Sequence, residues 1–271
     1  MRPLVIVVLS VALAGCAGSD STSEQTVVAA FYPLAWAAER IVGRGTEVVN
    51  LTPAGAEPHD IELTPRDAEA IRESDLVVFV SGGFQPAVED AVEEREGPSV
   101  DVLDGHPDPH VWLDPPAFAA AVERLAGSLG AGRAAWKLAL ELRRLDAEYR
   151  SGLADCDRRT IVTTHAAFGR LARRYGLTDL SLAGRAPEAE PTPRELEDLV
   201  EKVRSAGATT IFAEPLVSNE VAETVAREAG VEVATLDPIE GLSEARLEAG
   251  EDYVSVMRSN LAALRKALRC R

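Results

Sequence analysis

The chain has 271 residues, of which 46% are hydrophobic and 27% are charged, and its formal net charge is −16 at pH 7. This length allows one large globular domain or two small ones, each with its own core. The acidic balance argues against a nucleic-acid partner, because a phosphate backbone favours a basic surface.

The amino terminus is typical of an export signal. Arg2 precedes the apolar run "PLVIVVLSVALAGC", which is too short to span a bilayer. Its last four residues, Leu13 to Cys16, resemble the bacterial lipobox, in which the cysteine is lipidated. The polar stretch "AGSDSTSEQ" that follows is typical of a flexible tether. We predict a signal peptide over residues 1–16, a tether over residues 17–25, and an extracytoplasmic protein held to the cell membrane by lipid on Cys16 alone.

Short β-rich runs then alternate with helical stretches over residues 26–114. The predicted strands cover residues 26–33, 46–53, 75–83 and 99–103, and the predicted helices cover residues 34–42, 64–74 and 84–94. The strands are nearly continuous runs of Val, Ile and Leu. This alternation predicts a parallel sheet covered by helices on both faces.

The middle of the chain, residues 115–155, carries helical periodicity and no strand signal. Leu138, Leu142, Leu145 and Tyr149 fall on one stripe of a long predicted helix. The Gly-rich stretch "GSLGAGR" separates this helix from the one before it. We predict that the long helix is a rigid linker between two lobes.

The strand–helix alternation resumes over residues 156–271. The predicted strands cover residues 159–165, 209–215 and 232–238, and the predicted helices cover residues 166–176, 192–207, 218–230 and a last segment from about residue 251. The predicted fold is α/β, with two βα lobes (residues 26–114 and 156–271) that have parallel-type sheets and are joined by a long rigid helix.

A histidine or an aspartate follows each of four predicted strands. Of the four histidines in the chain, His59, His110 and His165 lie at or just beyond a strand's carboxyl end, and Asp237 has the same placement. Ligands of open α/β sheets bind at that edge. If the two lobes face each other, these residues form a two-plus-two set across a cleft. His106 lies in a Pro/Asp/Gly loop and is left unassigned.

This set of side chains suits a metal ion. Neutral imidazole binds zinc, and a carboxylate can complete a tetrahedron. Asp60, Asp108 and Glu214 are candidates for orienting the rings through their second nitrogens, although solvated or helix-capping carboxylates are an equal alternative.

Cys156 and Cys270 remain once Cys16 is assigned to lipid. Outside the cytoplasm two cysteines favour a disulfide, with two separate buried thiols as the alternative. The bridge would hold the carboxyl terminus against the start of the second lobe.

Four segments, in order, resemble the metal-binding lipoproteins of bacterial zinc and manganese ABC importers, the cluster A-I solute-binding proteins. They are "GAEPHDIELTPRD", "DPHVWLDPP", "TTHAAFGRLARRYGL" and "IFAEPLVSNEVAETVAREAGVEVATLDPIEGL". The resemblance extends from about residue 27 to the carboxyl terminus. It implies two α/β lobes joined by a long helix, and metal ligation by His59, His110, His165 and Asp237. The long His-rich loop of many zinc members is reduced here to "DGHPDP", with His106 as its only histidine.

The resemblance implies capture of a divalent metal and its delivery to an ABC permease and its ATPase by a monomer. Three imidazoles and one carboxylate favour Zn²⁺ over Mn²⁺, which prefers sites rich in oxygen. A manganese-binding member of the family is one alternative. An exported zinc hydrolase is another, although the chain has no His-Glu-x-x-His or Gly-x-Ser-x-Gly motif. A cell-surface adhesin with a structural metal is the third.

Overall fold

The computed structural model describes residues 25–183 and 192–271. Within these ranges the chain forms eight strands and ten α-helices. The strands are β1 (Gln25–Ala29), β2 (Thr46–Asn50), β3 (Leu76–Phe79), β4 (Ser99–Asp101), β5 (Thr160–Thr163), β6 (Thr178–Ser181), β7 (Thr210–Ala213) and β8 (Glu232–Thr235). The helices are α1 (Tyr32–Ile41), α2 (Pro65–Glu73), α3 (Pro86–Glu93), α4 (Pro115–Leu129), α5 (Gly132–Gly152), α6 (Gly169–Arg174), α7 (Pro193–Ser205), α8 (Glu220–Ala229), α9 (Glu244–Glu248) and α10 (Tyr253–Leu268). The predicted signal peptide, the lipidation site Cys16 and nearly all of the predicted tether lie outside the described residues.

The strands form two separate sheets of four parallel strands. The strand order is β2-β1-β3-β4 in the first sheet and β6-β5-β7-β8 in the second. The inner strands are apolar because helices cover them on both sides; Val27, Val77 and Ile211, for example, have no more than 1% of their surface exposed. The prediction of two α/β lobes with parallel sheets is confirmed. The predicted residue limits of the lobes stay a prediction.

Two helices begin at a Thr-Pro dipeptide, as their sequences predict. The Thr64 hydroxyl accepts a hydrogen bond from the backbone N–H of Asp67, whose carboxylate accepts one in return from the backbone N–H of Thr64. Thr192 and Glu195 make the same reciprocal pair at the start of α7. These capping boxes satisfy backbone donors that the first helical turn would otherwise leave unpaired.

The long helix α5 joins the lobes, as predicted. Gly130, with φ of 64°, ends α4 in the left-handed conformation, and α5 then starts two residues later. The buried face of α5 includes Leu138, Leu142, Leu145 and Tyr149. Helix α5 packs against α1 of the first lobe and against α10, where Tyr149 donates a hydrogen bond to the Met257 carbonyl at 2.6 Å. None of the helices in the described ranges is long and apolar enough to cross a bilayer.

The second lobe differs from its predicted elements in three places. The strand β6 was not predicted, because Thr178–Ser181 is a short, half-buried edge strand that lacks an apolar run. The helix predicted over residues 166–176 is shorter, because residues 166–168 form turns before α6 begins at Gly169. An additional short helix, α9, precedes the predicted last helix.

A disulfide holds the carboxyl terminus in place. Cys156 and Cys270 are bonded at an S–S distance of 2.01 Å, across a sequence separation of 114 residues. The predicted bridge is therefore present, and the alternative of two separate thiols is wrong. It joins the end of α10 to the segment between α5 and β5.

Candidate metal centre

Three histidines converge from three loops at the carboxyl ends of strands. His59 lies in a 3-10 helix, Pro58–Asp60, in the loop after β2. His110 follows β4 and directly precedes a second 3-10 helix, Val111–Leu113. His165 is the second residue after β5. His110 and His165 are fully buried, and the His59 side chain is 10% exposed. The structure thus brings together the three histidines that the strand-end argument selected.

Glu240 completes the cluster. Its Oε1 atom lies 3.7 Å from His59 Nε2, 3.3 Å from His110 Nε2 and 3.6 Å from His165 Nε2. One potential ligand atom from each of the four residues lies within 4.8 Å of the others. Three imidazole nitrogens and one carboxylate oxygen are the kind of donor set that binds zinc tetrahedrally.

These four atoms share an unusual property. His59 Nε2, His110 Nε2, His165 Nε2 and Glu240 Oε1 are all buried, and within the described residues none has a hydrogen-bond partner. Buried polar atoms in folded proteins are nearly always paired, because an unpaired one loses its solvation without compensation. A divalent cation at their centre would satisfy all four atoms at once. The residues therefore fit a metal ion.

Carboxylates face the second ring nitrogen of two of the histidines. Asp108 Oδ1 lies 2.8 Å from His110 Nδ1, and Glu214 Oε2 lies 2.6 Å from His165 Nδ1. A carboxylate in this position fixes the ring and directs Nε2 toward a metal. Asp108 and Glu214 lie opposite these nitrogens, and the orienting role predicted for them stays a prediction.

The third predicted orienting residue lies elsewhere. Asp60 is exposed, and in the described part of the chain its carboxylate makes no hydrogen bond or ion pair with the His59 ring. The backbone N–H of His59 instead donates a hydrogen bond to the Glu57 carboxylate at 3.3 Å.

Asp237 is not part of the cluster. Its Oδ2 accepts a hydrogen bond from Arg246 at 2.7 Å, and its Oδ1 accepts one from the backbone N–H of Ile239 at 2.7 Å. Both oxygens are thus occupied, and a guanidinium already balances the charge. The side chain that lies with the three histidines is therefore Glu240, three residues after the predicted Asp237.

The loop after β8 turns Glu240 toward the histidines. Ile239 has φ of 60°, a left-handed conformation that is strained for a β-branched residue. The Asn260 side chain holds the backbone of Asp237 from both sides, with bonds of 2.9 Å to its N–H and 2.6 Å to its carbonyl. Trp112 Nε1 donates a hydrogen bond to the Pro238 carbonyl at 2.7 Å. These fixed contacts maintain the turn that presents Glu240.

The side chains of the cluster shift one another's pKa values even without a metal ion. Burial alone would raise the pKa of Glu240, but contact with the three imidazoles holds it well below its usual value. Burial would lower the pKa of His165, but Glu214 and Glu240 together raise it to about 10. The pKa of His110 is also raised, because Asp108 and Glu240 outweigh its burial. The His165 ring therefore carries a proton on both nitrogens at neutral pH, and a metal ion has to displace the one on Nε2.

His106 lies outside the cluster. Its Nδ1 lies 3.1 Å from the backbone nitrogen of Asp108, and its Nε2 lies 2.9 Å from an Arg173 nitrogen. The ring is half-buried at the surface of the loop that leads to His110.

Glu240 is absent from the ligands predicted from the sequence, although its surroundings carry one signal. In "PIEGL" this carboxylate is surrounded by apolar residues and glycine. An acidic residue in an apolar segment is buried at a cost unless it binds something, so it is a candidate ligand.

The fold and the cluster define a two-lobed metal-binding protein. Each lobe has a parallel sheet. The first lobe contributes His59 and His110 to the cluster, and the second contributes His165 and Glu240. The family model described as "ZnuA: Zinc-uptake complex component A periplasmic" matches residues 27–267. The chain belongs to this family, which confirms the resemblance drawn from its four segments.

Known proteins support this assignment. The chain is 33% identical over 283 residues to the "Zinc-binding protein AdcA" of Streptococcus pyogenes serotype M3, an alignment that covers 88% of this chain and 55% of that protein. The chain therefore spans about half the length of the first curated relatives it matches.

Two solved structures have the same fold. The Zn(II)-bound ZnuA-like domain of Streptococcus pneumoniae AdcA has a TM-score of 0.77 at 31% identity, covering 90% of this chain and 99% of that one. The laminin binding protein of Streptococcus agalactiae, described as bifunctional "with adhesin and metal transporting activity", has a TM-score of 0.81 at 29% identity, with the same coverages.

Proposed function

We propose that this protein captures zinc outside the cytoplasm and delivers it to an ABC importer, and that His59, His110, His165 and Glu240 are the zinc ligands. The observation that carries this proposal is the set of four buried, unpartnered ligand atoms within 4.8 Å of one another. Three imidazoles and one carboxylate favour zinc over manganese, which prefers octahedral sites rich in oxygen.

The arrangement suits transport better than catalysis. A catalytic zinc site keeps an open position for water, whereas here a fourth side chain, Glu240, lies close to all three imidazoles. A closed site of four protein ligands leaves no coordination position for a water nucleophile, so the ion would be held and not used in catalysis.

Release would use the division of the ligands between the lobes. His59 and His110 belong to the first lobe, and His165 and Glu240 to the second. A docked permease that shifts one lobe slightly breaks two zinc bonds together, and affinity falls steeply. The long helix α5 limits the shift to a small rocking motion. The permease and its ATPase, the lipid anchor at Cys16 and the monomeric state belong to the same proposal.

The test is calorimetry with zinc and with manganese on the same protein. We expect one zinc ion per chain, with manganese at least roughly tenfold weaker because its preferred ligands are oxygens. Separate substitutions of His59, His110 and His165 by Ala should each lower the zinc affinity by about 100-fold or more, whereas His106→Ala should change it only a few-fold. Zinc binding that survives loss of any two of the three clustered histidines would overturn the proposal.

A further inference from the structure

Helix α6, which follows His165, is hydrogen-bonded to the loop that precedes His110. Arg170, in α6, has a side chain only 4% exposed, although it carries a permanent charge. Its Nε donates to the Asp108 carbonyl at 2.7 Å. Its two terminal nitrogens donate to the Asp104 carboxylate at 2.7 and 3.1 Å. One guanidinium in the second lobe therefore makes three hydrogen bonds to a single loop of the first lobe.

The residues on both sides of this contact are connected to proposed zinc ligands. On one side, Asp108 accepts hydrogen bonds from both the ring Nδ1 and the backbone N–H of His110. On the other side, Arg170 lies in the first turn of α6, five residues after His165. The contact thus connects a ligand of the first lobe with a ligand of the second.

Helix α6 packs closely against the loop that contains Asp104 and Asp108. A Cβ atom at Gly169 would lie 2.9 Å from Asp108 Oδ2, so a larger residue there would force the Asp108 carboxylate to shift. The hydrogen bonds from Arg170 hold the pKa of Asp104 at about 2, against the effect of its partial burial. The pair therefore stays ionised throughout the physiological pH range. A planar guanidinium with paired bonds to a carboxylate is also directional, so it resists sliding as well as separation.

We propose that Arg170 is a positioning residue whose paired contact with Asp104 latches the two lobes together and slows zinc release. This inference rests on the proposed zinc function. In this arrangement the shift that frees zinc must also break the latch, so the latch and the metal bonds fail together. A lysine at position 170 keeps the charge but cannot make the three bonds at once. Loss of the latch should therefore mainly raise the rate at which zinc leaves.

The experiment measures zinc release from the full-length protein into excess chelator by stopped flow. Arg170→Lys and Asp104→Asn should each speed release by roughly tenfold or more, the size of effect usual for residues that support metal ligands. The double variant should release zinc no faster than the faster single variant, because the two side chains act as one unit. The Co²⁺-loaded variants should also show an altered ligand-field absorption spectrum, since the orientation of His110 depends on the latch.

The matched control is an exposed arginine–carboxylate pair of similar geometry. Arg258 donates two hydrogen bonds of 2.9 Å to Glu148, and both side chains are largely exposed. Arg258→Lys should leave the release rate within about twofold of wild type, because exposed pairs of this kind contribute little.

Variants that melt at lower temperature but release zinc at the wild-type rate, with an unchanged Co²⁺ spectrum, would overturn the latch and leave Arg170 a purely structural residue. If Arg170→Lys does not fold, Asp104→Asn decides the question, because the Asp104 side chain is 36% exposed and the amide keeps its shape and one hydrogen-bond acceptor for Arg170. Failure of wild-type protein to bind zinc would instead overturn the proposed function. The two failures are therefore distinguishable.

Discussion

The replacement of Glu240 by Gln tests the ligand set against the alternative that the sequence favoured. The amide keeps the shape of the side chain but removes the carboxylate charge that, among the described residues, faces all three imidazoles, at 3.3 to 3.7 Å from their Nε2 atoms. Structural zinc sites contribute about 10–16 kcal/mol of binding free energy at pH 7. An even share for one ligand of four is about 2.5–4 kcal/mol, so zinc affinity should fall about 100- to 1,000-fold.

Asp237→Asn is the matched control. Asp237 is similarly buried and lies on the same loop, but its oxygens are bonded to Arg246 and to the backbone. We expect its zinc affinity to fall less than about tenfold, because only an arginine contact outside the cluster is lost. Competition titration against a chromophoric chelator measures both variants on one scale. An Asp237→Asn protein that loses zinc as completely as Glu240→Gln, or a Glu240→Gln protein that retains it, would refute the assignment.

Three further predictions concern protons, the disulfide and the loop after β8. The pKa of His165, raised to about 10 from an ordinary 6.5, gives the metal-free fold stability that is fully present below pH 6.5 and is lost as the pH rises through 10. Zinc displaces this proton, so binding at pH 7.5 should release at least one proton, seen in calorimetry as a heat that depends on the buffer's ionisation enthalpy; a heat independent of buffer would contradict the assigned charge state. Reduction of the Cys156–Cys270 disulfide, which closes a loop of 114 residues, should lower the free energy of unfolding by up to about 5 kcal/mol in denaturant titrations, while zinc affinity changes little because the bridge contacts no ligand; an equally stable reduced protein would show that the bridge is dispensable. Trp112→Phe removes the hydrogen bond to the Pro238 carbonyl and should cost about 1–3 kcal/mol of stability and weaken zinc binding through the Glu240 loop; wild-type affinity in this variant would mean that the loop holds its shape without Trp112.

The sequence predicted the histidines because their positions follow from fold logic. Parallel strands place their carboxyl ends at one edge, so a histidine just beyond a strand lies near its neighbours whatever the details of the loop. His165 illustrates this case, since it follows β5 by only two residues. The long helix was equally predictable from its buried stripe.

The fourth member of the site was not predictable in this way. Asp237 is the carboxylate that strand-end logic selects, but its fate depends on Arg246, which reaches it from α9. Glu240 reaches the cluster only because Ile239 adopts a left-handed conformation that no propensity favours. Tertiary contacts from Trp112 and Asn260 hold that turn, and they come from distant parts of the chain.

The edge strand β6 was missed for a related reason. An outer strand of four residues is only half-buried, so its sequence carries neither a continuous apolar run nor a clear alternation. Its place in the sheet is determined by pairing with β5 rather than by its own composition.

A crystal structure of the zinc-loaded protein, with anomalous differences collected at the zinc edge, tests the shared site most directly. A single peak should lie about 2.0–2.2 Å from the Nε2 atoms of His59, His110 and His165 and from a carboxylate oxygen of Glu240. A peak bound by Asp237 in place of Glu240, or located away from the three imidazoles, would contradict it.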